Sequence, residues 1–177
     1  MGRGATKAAG NVWYEARMEA AKWNDKLLSR AGAAEALNMS EDAVKDAELG
    51  LNKCMPVDKA VLMADLYHKP ELRNYYCLHE CPIGRTLPIS ADSPELEQVT
   101  VKLLKNLRVG ELEEVKDKLI DLAEDGKITE DEKPELAEIL KYLDRLSRTV
   151  SEMRVIGEKA LGAEWENECR GDRENHS

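Results

Sequence analysis

Between residues 11 and 81 apolar positions recur at three- and four-residue steps in short runs, and each run is cut off by a turn residue, which predicts a set of short helices. Leu28-Ser29 opens one such helix, containing Ala33, Ala34 and Leu37. Asn38-Met39-Ser40 then supplies a turn and a fresh N-cap, because Asn tolerates the left-handed conformation and a Ser hydroxyl can accept from the next free backbone N–H. The following helix runs through Val44 to Gly50, with Glu48 just inside its end. Pro56 starts another, whose apolar face is Val57, Ala60, Val61, Ala64 and Tyr67, and Pro70 to Glu80 forms one more.

The second half has a different rhythm. Cys81-Pro82-Ile83-Gly84-Arg85-Thr86-Leu87-Pro88 holds two prolines and a glycine and cannot continue a helix, so it reads as a connector. Ser93-Pro94-Glu95 reads as an N-cap, first helical residue and first-turn acid of a long amphipathic helix. Its stripe is Leu96, Val99, Leu103, Leu107, Leu112, Val115, Leu119 and Leu122, with a phase slip expected at Gly110, where the three-four spacing breaks. After Pro134 a second stripe follows, Leu136, Ile139, Leu140, Leu143, Leu146, Val150 and Met153. Joined near Asp125-Gly126, the two helices form an antiparallel hairpin with one stripe against the other. Such a hairpin has little core of its own. A second copy covering Leu103, Leu107, Leu112, Val115, Leu119, Leu136, Leu140, Leu143, Leu146 and Val150 is the leading solution, and packing against the first half is the alternative.

Taken in order, Ser29, Ala34, Leu37, Ser40, Glu48, Gly50 and Pro56 resemble the XRE family of lambda-repressor-like bacterial and phage regulators. The resemblance spans roughly residues 11 to 80. It implies an all-α chain that begins with a five-helix helix-turn-helix domain, whose third helix enters the major groove, commonly as a dimer on a two-fold operator. Groove and phosphate contacts would come from Arg30, Ser40, Glu41, Asp42, Lys45 and Asp46, with Asn52 and Lys53 anchoring the backbone. The resulting organisation is a disordered tail at 1–10, the DNA-binding-like domain at 11–81, a linker at 82–93, the hairpin at 94–166 and a frayed tail at 167–177. Family members commonly carry Arg, Ser, Thr, Gln or Lys on the groove side, whereas three of the four residues Glu41, Asp42, Lys45 and Asp46 are anionic here. Carboxylates repel phosphates and find only the cytosine amino group as a good base partner. This departure motivates a second reading, a protein-interaction module such as an antirepressor or phage-type inhibitor on a fold that no longer binds DNA.

Composition sharpens these readings. With 177 residues and 42% hydrophobic content the chain can bury a real core. The net charge of −9 is uneven: residues 1–94 hold 12 basic and 13 acidic side chains, against 14 and 22 in residues 95–177. Phosphate contact therefore falls to the first half, where Arg17, Lys22, Lys26, Arg30, Lys53 and Lys59 surround the turn. No apolar run is long enough for a bilayer and no signal segment opens the chain, so a cytoplasmic protein with no membrane partner is expected. The cysteines Cys54, Cys77, Cys81 and Cys169 lack paired zinc spacing and read as reduced, semi-buried thiols. Asp121, Asp125, Gly126, Ile128 and Glu132 match part of a calcium loop, but Ala123 replaces a ligand and Lys127 adds a cation, so no metal is expected. No phosphate loop or nucleophile motif appears, and the chain reads as a non-enzyme without a cofactor.

Overall fold

The computed structural model describes residues 7–52, 54–123 and 126–162, and every regular element among them is helical. The eight α-helices are α1 (Val12–Ala20), α2 (Arg30–Leu37), α3 (Glu41–Leu49), α4 (Val57–Leu66), α5 (Glu71–His79), α6 (Leu96–Asn106), α7 (Val109–Ala123) and α8 (Lys133–Leu161), with short 3-10 turns at Asp25–Leu28 and Gly84–Thr86. The chain divides into two compact units between Leu87 and Pro88.

In the first unit, helix ends are set locally by the residues that cap them. Asn11 Oδ1 accepts from the N–H groups of Trp13 and Tyr14 to start α1, and Asn11 Nδ2 reaches the carbonyl of Ala47 on α3. Ser29 Oγ accepts from Gly32 N–H, and Ser40 Oγ accepts from Ala43 N–H. Asn38 (φ 48°) and Gly50 (φ 65°) end α2 and α3 in the left-handed region. Small side chains then let the helices close together: Ala16, Ala20, Ala33, Ala34, Ala47, Ala60 and Ala64 are buried around Trp13, Leu27, Met63 and Tyr67. Gly32 is needed for the same reason, since a Cβ there would lie 2.1 Å from the carbonyl oxygen of Lys26.

Three local features depart from the sequence reading. On α4 the inward residues are Ala60, Met63 and Ala64, while Val57 and Val61 remain 61% and 38% exposed, because the Met63 side chain fills the space and turns the buried face towards it. Residues 7–10 form a turn in which Ala8 is buried, whereas residues 1–6 lie outside the described residues. The connector after α5 folds back as a hook. Arg85 Nη2 donates to the carbonyl of His79, Arg85 N–H to that of Cys81, and Gly84 sits so close that a Cβ would lie 2.3 Å from the Cys77 carbonyl oxygen.

In the second unit α6 and α7 run in succession along α8. The antiparallel register is read from Lys102 with Glu152, Asn106 with Thr149, Arg145 with Glu111 and Lys118 with Glu138. The helix begins at Leu96 rather than Pro94, with Glu95 at the N-cap, and the interruption falls at Leu107-Arg108 rather than Gly110. Its cause is a competing donor: the Tyr142 hydroxyl takes the Asn106 carbonyl at 2.6 Å. Asn106 is also held through its side chain, which donates to Thr149 Oγ1 and accepts from Arg145 Nε. The seam therefore buries Val99, Asn106, Leu122, Ile139, Tyr142, Thr149, Glu152 and Val155.

Of the two expected stripes, Val99, Leu122 and Ile139 enter that seam, while the other leucines and valines lie beside it. Leu107, Leu112, Leu119, Leu140, Leu143 and Val150 are each 40–51% exposed, and Leu103, Val115, Leu136 and Leu146 are half-buried. At helical spacing all of these but Val115 fall on one side. Clefts of about 390 and 360 Å³, lined by charged residues including Lys102, Lys118, Glu138 and Arg148, occupy the other. Gly126 has φ 68°, and Thr129 makes two bonds to Glu132 Oε2 just before α8. The partial calcium loop includes Asp125, outside the described residues, and no group of potential ligands capable of holding a metal occurs among the described residues.

Candidate nucleic-acid interface

The turn Asn38–Ser40 joins α2 to α3 and sets which side of α3 meets solvent. Val44, Ala47 and Glu48 point inward and are buried, leaving Glu41 and Asp42 exposed and Lys45 and Asp46 half-exposed. Ser40 is engaged as the N-cap. Asn52 is exposed on the loop that follows, and Lys53 lies outside the described residues. Glu41, Asp42, Lys45 and Asp46 thus share one helix and its outward side.

One charge pair forms on that side, which stays net anionic. Lys45 Nζ bonds Asp42 Oδ1 at 3.0 Å. This hydrogen bond, with the carboxylate's charge behind it, raises the ammonium above its ordinary range. The pair is solvent-exposed and contributes little stability, but it occupies the one cation of the helix.

Arg30 stands apart from this set. It is the first residue of α2, and its Nε binds Glu48 Oε2 at 2.7 Å. Glu48 is fully buried and also receives Arg17 through Nε at 2.5 Å and Nη2 at 3.2 Å. Arg17, itself buried, uses Nη1 to bind the carbonyls of Leu27 at 2.7 Å and Leu28 at 3.2 Å. One carboxylate thereby ties α3 to α1 and to the start of α2, and it fixes the orientation of α3 from the inside. Each buried charge here meets an opposite charge or backbone carbonyls, as burial of a charge requires.

Arg17 and Glu48 were not legible as a pair. Among the cations expected around the turn, Arg17 is withdrawn from solvent by Glu48, whereas Lys22 and Lys26 are exposed and Lys59 is half-exposed with Asp58 3.7 Å away. The available signal was Glu48 itself, which repeats the spacing of buried Val44 and so required a cationic partner inside. Beside this group the Tyr67 hydroxyl is buried with no hydrogen-bond partner. Burial first, and then the Glu48 carboxylate, push its ionisation well above the usual tyrosine range, with Arg17 opposing.

No family model, curated protein or solved structure matches this chain. Among the described residues no helix is long and apolar enough to cross a membrane.

Proposed function

We propose that this chain is a sequence-specific DNA-binding regulator of the XRE, lambda-repressor-like type that acts as a dimer and carries no catalytic centre. The observation that supports the reading is the outward set Glu41, Asp42, Lys45 and Asp46 on a helix capped by Ser40 and held from within by Arg17, Arg30 and Glu48. Asn52, exposed on the loop after α3, supplies a donor for phosphates, whereas Arg30 is engaged at its Nε by Glu48. The second unit supplies the partner surface: its leucine side is left outside the packing of α6 and α7 on α8, and a second hairpin would cover it as a four-helix arrangement. A two-fold dimer then presents two α3 helices to two half-sites.

The test is selection of bound oligonucleotides from a random pool at low salt, followed by an electrophoretic shift. A recovered two-fold motif, bound in a salt-sensitive manner and weakened by Lys45→Glu, supports the reading. No enrichment at low salt overturns it.

A second reading is favoured by one observation, the Asp42–Lys45 pair, which leaves the outward side of α3 with no unopposed cation. On this reading the same face binds a basic protein partner. Asp42→Lys combined with Asp46→Lys would then abolish capture of that partner, and unchanged capture would show that α3 is not the binding face.

A further inference from the structure

Cys54, Cys77 and Cys81 are free thiols of the first unit, and two of them are brought together by the loop that leads into α4. Cys54 is exposed on that loop. Its sulfur lies 3.7 Å from the Tyr76 hydroxyl and 3.9 Å from the carbonyl oxygen of Glu80. One peptide bond joins that carbonyl to Cys81, so standard backbone dimensions place the Cys54 sulfur within about 7 Å of the Cys81 Cα. The approach is not incidental. Tyr76 Oη donates to the Met55 carbonyl at 3.0 Å, and Met55 N–H donates to Glu80 Oε2 at 2.9 Å, so the residue next to the thiol is stitched to Tyr76 of α5 and to Glu80 just beyond it.

Cys81 is fixed in its turn. Its N–H binds the Tyr76 carbonyl at 3.0 Å, and its sulfur accepts from Gly84 N–H at 3.5 Å. Cys77 is placed differently. It lies one residue beyond Tyr76, about 100° further round the helix, and Gly84 packs on its backbone. Burial, followed by the charge of Cys81, also raises its thiol above the ordinary range. Cys54 lies between α3 and α4 and belongs to neither, so its backbone can make the small adjustment that disulfide geometry requires.

We propose that Cys54 and Cys81 form a redox-sensitive pair that closes to a disulfide under peroxide, stapling the α3–α4 loop to the hook after α5. In the first step the exposed Cys54 thiol takes oxygen from hydrogen peroxide, giving a sulfenic acid and one water. The Cys81 thiolate then attacks the Cys54 sulfur. The S–S bond forms as the S–O bond breaks, and the departing hydroxide takes up the proton lost by Cys81 to give a second water. Two thiols are oxidised by two electrons, and one peroxide is reduced. This chemistry is independent of whether the domain reads DNA.

The experiment is peptide mapping of the intact chain after hydrogen peroxide, under non-reducing conditions. Trypsin releases Cys54 in peptide 54–59 and both Cys77 and Cys81 in peptide 74–85. The expected product in the wild type and in Cys77→Ser is 54–59 linked to 74–85 within one chain, released by dithiothreitol and lost in Cys54→Ser and Cys81→Ser. A bond confined to 74–85, a bond between two chains, or conversion of Cys54 to sulfinic acid alone would overturn the proposal. Fragmentation of the linked wild-type peptides places the bond at Cys81 or at Cys77 even where a serine variant does not fold, and a bond at Cys77 would overturn the proposal.

Discussion

Glu48→Gln keeps the size and shape of the side chain and removes only its charge, so it isolates the role of the buried carboxylate. In the native protein Glu48 faces two guanidinium groups, one of them buried, at 2.5 and 2.7 Å. An amide can accept from one of them and must turn its own N–H groups towards the other. Arg17 then retains its bonds to the Leu27 and Leu28 carbonyls but loses its counter-charge in a site closed to water. Removal of one partner from a buried ion pair costs about 3–5 kcal/mol. That is a large share of the roughly 5–15 kcal/mol that holds a typical domain together. At about 4–8 °C per kcal/mol for a domain of this size, the first unit should melt tens of degrees lower. Urea unfolding followed by tryptophan fluorescence, with Trp23 and Trp165 replaced by Phe so that Trp13 in the same core reports alone, measures the change. A companion double variant, Arg17→Met with Glu48→Leu, removes both buried charges and leaves half-exposed Arg30 free to turn to solvent. It should recover most of the loss. A Glu48→Gln protein within about 1 kcal/mol of wild type would refute the assignment of the ion cluster as the fixture that orients α3.

Other outcomes follow from separate features. Gly84→Ala drives a Cβ to 2.3 Å from the Cys77 carbonyl oxygen and should destabilise the hook by about 1–3 kcal/mol, read as faster amide exchange at residues 81–87. Tyr76 is raised to about 12, first by its hydrogen bond with Cys54 and then by burial. Because the folded value exceeds the unfolded one, this contribution to stability is fully present below pH ~10 and is lost as pH rises towards about 12. An alkaline absorbance titration should find Tyr76 ionising late, and Cys54→Ala should bring it down. Leu112→Glu with Leu143→Glu, both on the exposed leucine side, should convert a dimer to a monomer by light scattering while leaving helix content unchanged. An unaltered mass would overturn the assignment of the leucine side as a dimer interface.

What could be read from the chain in advance was governed by short-range chemistry. Ser29, Asn38, Ser40 and Gly50 act within four residues of themselves, and their spacing was enough to mark the ends of α2 and α3. The fixture of the candidate interface was hidden because Arg17 and Glu48 are 31 positions apart, and nothing near either residue names the other. The interruption between α6 and α7 was misplaced for the same reason, since the donor that ends α6 is Tyr142, 36 positions beyond Asn106. The hairpin seam illustrates a different limit. Helix α8 carries two adjacent stripes, one rich in leucine and one mixing Ile139, Tyr142, Thr149 and Glu152, and hydrophobicity alone favours the former. The mixed stripe takes the seam because its polar groups find partners there: Thr149 with Asn106, Glu152 with Lys102 and the Tyr142 hydroxyl with a backbone carbonyl.

The Arg17–Glu48–Arg30 cluster separates what holds α3 in place from what α3 displays. None of Glu41, Asp42, Lys45 or Asp46 takes part in the anchoring bonds, so exchanging them alters the message while sparing the frame that carries it. The charge that α3 presents can thus be reset by a handful of surface substitutions at small cost in folding.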